Sequence, residues 1–154
     1  MFKIVLFEPE IPPNTGNIIR LASNMGAELH LIKPLGFDLD DKKLRRAGLD
    51  YNEWVDVVQH DSYDGFLKNV KPERLFACST HGTQLYSAVE FKAGDVFLMG
   101  PETRGLPKPL LASMPVENVI RLPMLPNNRS LNLSNATAII LYEAWRQNGF
   151  TGAT

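Results

Sequence analysis

Residues 119–136, VIRLPMLPNNRSLNLSNA, decide how this chain must be read. They open as a short apolar strand, pass two prolines and two asparagines, and close as the start of a helix. Pro123 and Pro126 cannot donate to a ladder, and each disfavours helix in the residue before it. Residues 123–133 therefore read as an ordered, non-repetitive loop and not as a longer strand. The cargo of that loop is polar: Asn127, Asn128, Arg129, Ser130, Asn132, Ser134 and Asn135 lie within nine positions. Such side chains are costly to bury unpaired and well suited to hold a polar ligand. They suit equally a plain strand-to-helix connection with Asn132 or Ser134 as N-cap. Taken alone, the stretch leaves both readings open.

Outward from this loop, short apolar runs alternate with helical patterns. Strands are expected at 3–7, 29–32, 54–58, 75–79, 96–99 and 119–122, each bounded by turn residues. The first helix follows the stiff turn around Pro9, Pro12 and Pro13, takes Asn14 or Thr15 as N-cap, and stops at Gly26. It sets Ile18, Ala22 and Met25 on one face and Asn17, Arg20 and Asn24 on the other. A short basic helix is expected over 40–47, another from Asp61 or Ser62 to Asn69, a third from about Pro107, and a last one over 134–148. Residues 81–95 show no clear period and read as surface chain.

Strands alternating with helices predict one α/β domain over residues 1–154: a mostly parallel six-stranded sheet with helices on both faces. The last helix carries apolar residues in every direction around its axis. A helix apolar all round is buried all round. In so small a domain this points to a homodimer through the face with Ile139, Tyr142 and Trp145.

The totals narrow the class. At 154 residues, with 44% hydrophobic and 21% charged residues, the chain has the length and composition of one ordinary globular domain. Cys78 is its single cysteine, which excludes an internal disulfide and suits a reducing compartment. The apolar run at 4–7 meets Glu8 and Glu10 at once, too short and too acidic for a signal peptide. No run approaches a membrane span, so a cytoplasmic protein is expected. The net charge of −1 argues against indiscriminate nucleic-acid binding. Locally, however, Lys42, Lys43, Arg45 and Arg46 lie within five positions. They form either a solvated helix face or a focused basic patch.

Several chemistries fail on spacing. No G-x-G-x-x-G follows a strand and no P-loop exists. His30, His60 and His81 have no metal-ligand spacing among themselves or with Cys78, so no metal is expected. Gly100 and Gly105 bracket a loop after the fifth strand, where a ligand or simply a tight turn would need them. In open α/β sheets, ligands bind beyond the carboxyl ends of strands. The loops after Ser79, after Met99 and over 123–133 are the candidates.

Three segments then make a pattern in order: NTGNIIR at 14–20, FLMGPETRGL at 97–106, and 120–136. Together they resemble the motifs of the SPOUT RNA 2′-O-methyltransferases. PEIPPNTGNIIRLA, DDKKLRRAGLDY and NLSNATAIILYEAWRQ extend the likeness over nearly the whole chain. They are most similar to single-domain members that methylate the wobble-nucleotide ribose, C34 or U34, in the tRNA anticodon loop.

The resemblance implies a C-terminal trefoil knot in the sheet (the α/β-knot), which sequence rules would not propose. It implies S-adenosylmethionine as cofactor, contacted at Cys78, Gly100, Leu122 and Ser130. Arg20 matches the family's catalytic arginine. Because an arginine stays protonated in proteins, stabilising the developing oxyanion suits it better than acting as a base. Glu102, Ser130 and Asn132 match the polar group that orients arginine and substrate. Asn14, Lys42, Lys43, Arg45, Arg46 and Arg129 are the expected RNA contacts. Methylation of a different RNA, or a non-catalytic RNA-binding dimer, are the alternatives.

Overall fold

The computed structural model describes residues 1–39, 42–45 and 57–154. Seven parallel strands form one sheet: β1 (Lys3–Phe7), β2 (Glu28–Ile32), β3 (Val57–His60), β4 (Leu75–Cys78), β5 (Gln84–Leu85), β6 (Val96–Met99) and β7 (Val119–Arg121). Five helices connect them: α1 (Pro12–Met25), α2 (Lys42–Arg45), α3 (Tyr63–Val70), α4 (Lys108–Ala112) and α5 (Leu133–Gln147). The spatial order is β3-β2-β1-β6-β4-β7-β5. The chain thus builds outward from β1 on one side. It crosses to place β4, then inserts β6 between the two, with Leu6 opposite Met99 and Cys78 opposite Met99.

The strand pattern explains the double cover. Along β1, Ile4 and Leu6 enter one apolar cluster with Ile18 and Ile19 of α1, Leu44 of α2, and Ile140 and Leu141 of α5. Val5 and Phe7 enter a second cluster with Phe66 of α3 and Leu110 and Leu111 of α4. Side chains alternate across the sheet with period two, and both faces are apolar because both are covered.

Three sequence expectations need correction. The sheet has seven strands and not six: within 81–95, Gln84 pairs with Ile120 and Leu85 with Arg121. Two residues carry no readable period, so only the partner strand defines them. Helix α1 starts at Pro12, with Ile11 as N-cap and no side-chain cap of its own, earlier than Asn14 or Thr15 would allow. Proline suits the first helical turn because its missing N–H would have no partner there anyway. The third strand runs on to His60, past the expected end at Val58, and residues 54–56, Trp54 among them, lie outside the described residues. Helix α5 fares better. Asn132 is its N-cap, its Oδ1 accepting from the Ser134 and Asn135 amides at 2.9 and 3.4 Å.

One polar pair is sealed inside the sheet's far half. His30 Nδ1 lies 2.9 Å from His60 Nε2, the rings stacked at 18° and edged by Phe66. The other His30 nitrogen is 3.5 Å from Glu28 Oε1, too long for a good bond, and His60 Nδ1 has no partner among the described residues. Burial holds both imidazoles below their usual value, and His60 adds to the effect on His30.

Candidate active site

The carboxyl ends of β6, β4 and β7 are adjacent, and the loops leaving them enclose a cleft of about 330 Å³. Its walls include Cys78, Ser79 and His81 from the first loop to form, Gly100 to Leu106 from the second, and Leu122, Ser130 and Leu131 from the third. Leu133 and Ala136 of α5 close the base. All four cofactor positions expected from the sequence, Cys78, Gly100, Leu122 and Ser130, therefore line one cleft. Glu102 lines it as well.

The crevice usual for such sheets, where strand order reverses between β1 and β6, is closed here by a reciprocal clamp. The Glu102 carboxylate accepts from the Glu10 and Ile11 amides at 2.9 and 2.6 Å and from Asn14 Nδ2 at 3.3 Å. In return, Glu10 accepts from the Thr103 amide at 2.9 Å and from its hydroxyl at 2.8 Å. Arg104 reaches Glu8 at 3.3 Å and Glu10 at 3.9 Å. The Thr103 hydrogen bonds hold the Glu10 carboxyl below the usual range, with Arg104 adding to the effect. Glu102 thus supplies near the start of α1 the anionic acceptor that the helix lacks from its own cap.

From this clamp a chain of amides leads to the third loop. Asn132 Nδ2 donates to Asn14 Oδ1 at 3.0 Å, while Asn132 Oδ1 caps α5. Asn14 is buried, its amide committed between Glu102 and Asn132. Arg20 stands exposed further along α1, outside the cleft lining of its own chain. Lys42 is exposed at the start of α2, and Arg129 is exposed in the third loop. Lys43 and Arg45 belong to α2, and Arg46 lies outside the described residues. Ile139 and Tyr142 are 39% and 43% exposed on α5, and Trp145 packs edge-on to Tyr142.

The clamp contacts of Glu8, Glu10, Thr103 and Arg104 escaped the sequence reading, although Thr103 and Arg104 lie inside the 97–106 motif. The acids after β1 counted there only against a signal peptide. Their spacing after a strand, ahead of two prolines, is the signal that was available. His81 entered the sequence reading only in the search for metal-ligand spacing, since an isolated histidine in a loop carries no pattern.

Two details bear on what the cleft can hold. A Cβ on Gly100 would lie 2.6 Å from the Leu106 amide and 2.8 Å from the Gly105 carbonyl carbon. The second loop therefore folds tightly on itself and offers main chain to the cleft. Burial pushes the Cys78 thiol up to about 12, so it stays protonated and is no nucleophile. Apolar walls from Leu122, Leu131 and Leu133, main-chain groups and a polar mouth of Ser130 and Thr103 fit a purine nucleoside with a zwitterionic tail. S-adenosylmethionine is such a molecule, and the cleft's volume is in the range of small-ligand sites. Among the described residues, no group of three or more His, Cys, Asp or Glu could hold a metal ion.

Residues 1–142 match the model of the SpoU rRNA Methylase family, and the chain belongs to that family. Its relatives are specific. A tRNA (cytidine(34)-2′-O)-methyltransferase of Saccharophagus degradans is 61% identical over 99% of both chains. A solved structure described as giving structural insights into the 2-OH methylation of C/U34 on tRNA superposes with a TM-score of 0.90 at 46% identity, covering 97% of each chain. The SpoU methyltransferase AviRb from Streptomyces viridochromogenes, in complex with its cofactor AdoMet, superposes at 0.84 with 26% identity, over 99% of this chain and 58% of that one.

Proposed function

We propose that this enzyme transfers a methyl group from S-adenosylmethionine to the ribose 2′-hydroxyl of the wobble nucleotide, C34 or U34, in the tRNA anticodon loop. The observation that carries the reading is the gathering of Cys78, Gly100, Leu122, Ser130 and Glu102 around one cleft at three strand ends. The full-length similarity to a C34 methyltransferase supports the substrate. S-adenosylmethionine supplies an electrophilic methyl group on a sulfonium centre when bound there.

The chain's own residues do the rest. Main chain around Gly100 and the side chains of Leu122 and Leu131 hold the nucleoside part. Ser130 faces the cleft beside Arg129. Glu102 and Asn132, through Asn14, fix α1, and α1 carries Arg20. A protonated arginine stabilises charge developing on the 2′-oxygen or grips the adjacent phosphate.

Arg20 lies outside its own chain's cleft, which is consistent with a homodimer in which each α1 serves the partner's site. The exposed Ile139 and Tyr142 of α5 are the surface that a second copy would cover. Lys42 and Arg129, both exposed, contact the RNA backbone, and the C-terminal segment is threaded as a trefoil knot.

The test is direct. Purified protein, S-adenosylmethionine and tRNA lacking the modification are incubated, and 2′-O-methyl groups are mapped. A single new methyl at position 34 is expected. Methylation elsewhere, or in ribosomal RNA only, would replace the substrate assigned here.

A further inference from the structure

We propose that His81 and Lys108 form an anion grip at the mouth of the cleft, holding the RNA phosphate next to the ribose that is methylated. The inference rests on the proposed function and adds to it two substrate-binding residues.

Both side chains line the cleft and both are exposed, so they stand at its rim. They come from different strand ends, His81 after β4 and Lys108 after β6. Among the described residues, neither side chain has a hydrogen bond or ion pair.

The other charged side chains that line the cleft are matched. Arg104 faces Glu8 and Glu10. Glu102 has its oxygens occupied by the Glu10 and Ile11 amides and by Asn14. What remains at the mouth is donor-rich and short of acceptors, which suits an anion.

Both groups are also held on stiff backbone. Lys108 stands between Pro107 and Pro109, whose rings fix φ on either side. His81 sits in a turn where its amide donates to Ser79 Oγ at 3.1 Å and the Gly82 amide donates to the Ser79 carbonyl at 3.1 Å. Gly82 is pressed against β7, where a Cβ would come within 2.8 Å of the Val119 carbonyl oxygen. Groups fixed in advance lose little freedom on binding.

The chemistry of the substrate chooses the anion. The 3′-phosphate hangs on the carbon next to the one bearing the 2′-hydroxyl. A ribose whose 2′-oxygen enters the cleft must leave that phosphate at the rim. Lysine offers three donors to a phosphate, and an imidazole N–H offers one. The cofactor's carboxylate is the competing anion, but three of the four expected cofactor contacts, Cys78, Gly100 and Leu122, are only partly exposed, whereas His81 and Lys108 are exposed.

The experiment measures binding of a fluorescein-labelled anticodon stem–loop RNA across a salt series, with methyl-transfer kinetics and calorimetry of S-adenosylmethionine alongside. Lys108→Ala should flatten the dependence of log affinity on log salt by about 0.7, the share of one single-strand phosphate contact. Its loss should fall on KM for RNA more than on kcat, with cofactor affinity kept. His81→Ala, which removes the N–H donor, should weaken RNA binding, and His81→Lys should restore it. Lys68→Ala, on α3, should leave the salt slope alone.

Slopes equal to wild type in both variants would overturn the grip, as would His81→Lys binding no better than His81→Ala. Loss of cofactor affinity with an unchanged RNA slope would assign the pair to the cofactor's carboxylate and overturn it too. Such results with a wild-type enzyme that still methylates position 34 would leave the proposed function standing. A wild type that neither binds nor methylates this RNA would remove both.

Discussion

The loop over 100–107 and the loop over 123–131 border the same cleft, and they are built in opposite ways. The first is clamped: Glu102, Thr103 and Arg104 all bond to Glu8, Glu10 and Ile11 across the sheet's switch point. The second is open. Within it, among the described residues, Asn128 Nδ2 donates to the Leu125 carbonyl at 3.2 Å, while Leu125 is 79% exposed and Met124 and Leu131 are partly bare. One wall of the site is fixed by the chain itself. The other displays apolar and cationic groups whose cover must come from a ligand, RNA or second subunit.

The contrast breaks first at Arg20, which the clamp positions through α1. Arg20→Ala should cut single-turnover methyl transfer on the order of a hundred- to a thousandfold, with cofactor affinity kept. Arg20→Lys keeps the charge without the planar fork, so partial activity points to charge stabilisation and near-complete loss to bidentate positioning. A wild-type rate in Arg20→Ala would make that arginine ordinary surface.

The next largest effect tests whether a second copy supplies the missing cover. Tyr142→Asp would place an unpaired charge in the α5 interface at a cost of several kcal/mol. Sedimentation should show monomer or aggregate, with activity falling alongside. A fully active monomer would mean that each cleft works alone.

Glu102→Ala then removes the clamp's central acceptor and strands the Glu10 and Ile11 amides. Unfolding in urea should show a loss of about 2 kcal/mol, accompanied by weaker cofactor binding. If stability is unchanged, the first loop is held by its tight turn at Gly100 and not by the clamp.

Acid should weaken the molecule in two stages. The buried His30–His60 pair has depressed values when folded, so the unfolded chain binds more protons. Stability is present above the unfolded value of 6.5 and declines as pH falls below it. Glu10, also depressed, contributes stability above its ordinary 4.5 that is lost as pH falls through the folded value. Melting of Glu10→Gln across pH should shrink the second stage and keep the first, because Glu10 belongs to the clamp and the histidine pair does not.

The smallest effect belongs to the open loop. Leu125→Ser should change stability by no more than about 0.5 kcal/mol, measured in the same urea series. A larger loss would show that the second loop is packed after all and that the contrast is wrong.

Much of this protein was determined by local sequence. The apolar runs at 3–7, 75–79 and 96–99, the Gly26 stop and the Asn132 cap depend on neighbours a few residues away, so pattern and turn chemistry suffice to read them. The motifs at 97–106 and 120–136 named residues of the cleft because a resemblance carries positions over from other chains, while the motif at 14–20 lies outside it. Tertiary structure decided what depends on distant partners. Strand β5 exists only because Ile120 and Arg121 accept it, and α1 begins at Pro12 with Glu102 as acceptor. The clamp joins residues more than ninety positions apart, and no local rule couples Glu10 to Thr103. The place of Arg20 outside its own cleft is likewise a fact of three dimensions, since a helix face tells which way a side chain points but not what stands opposite.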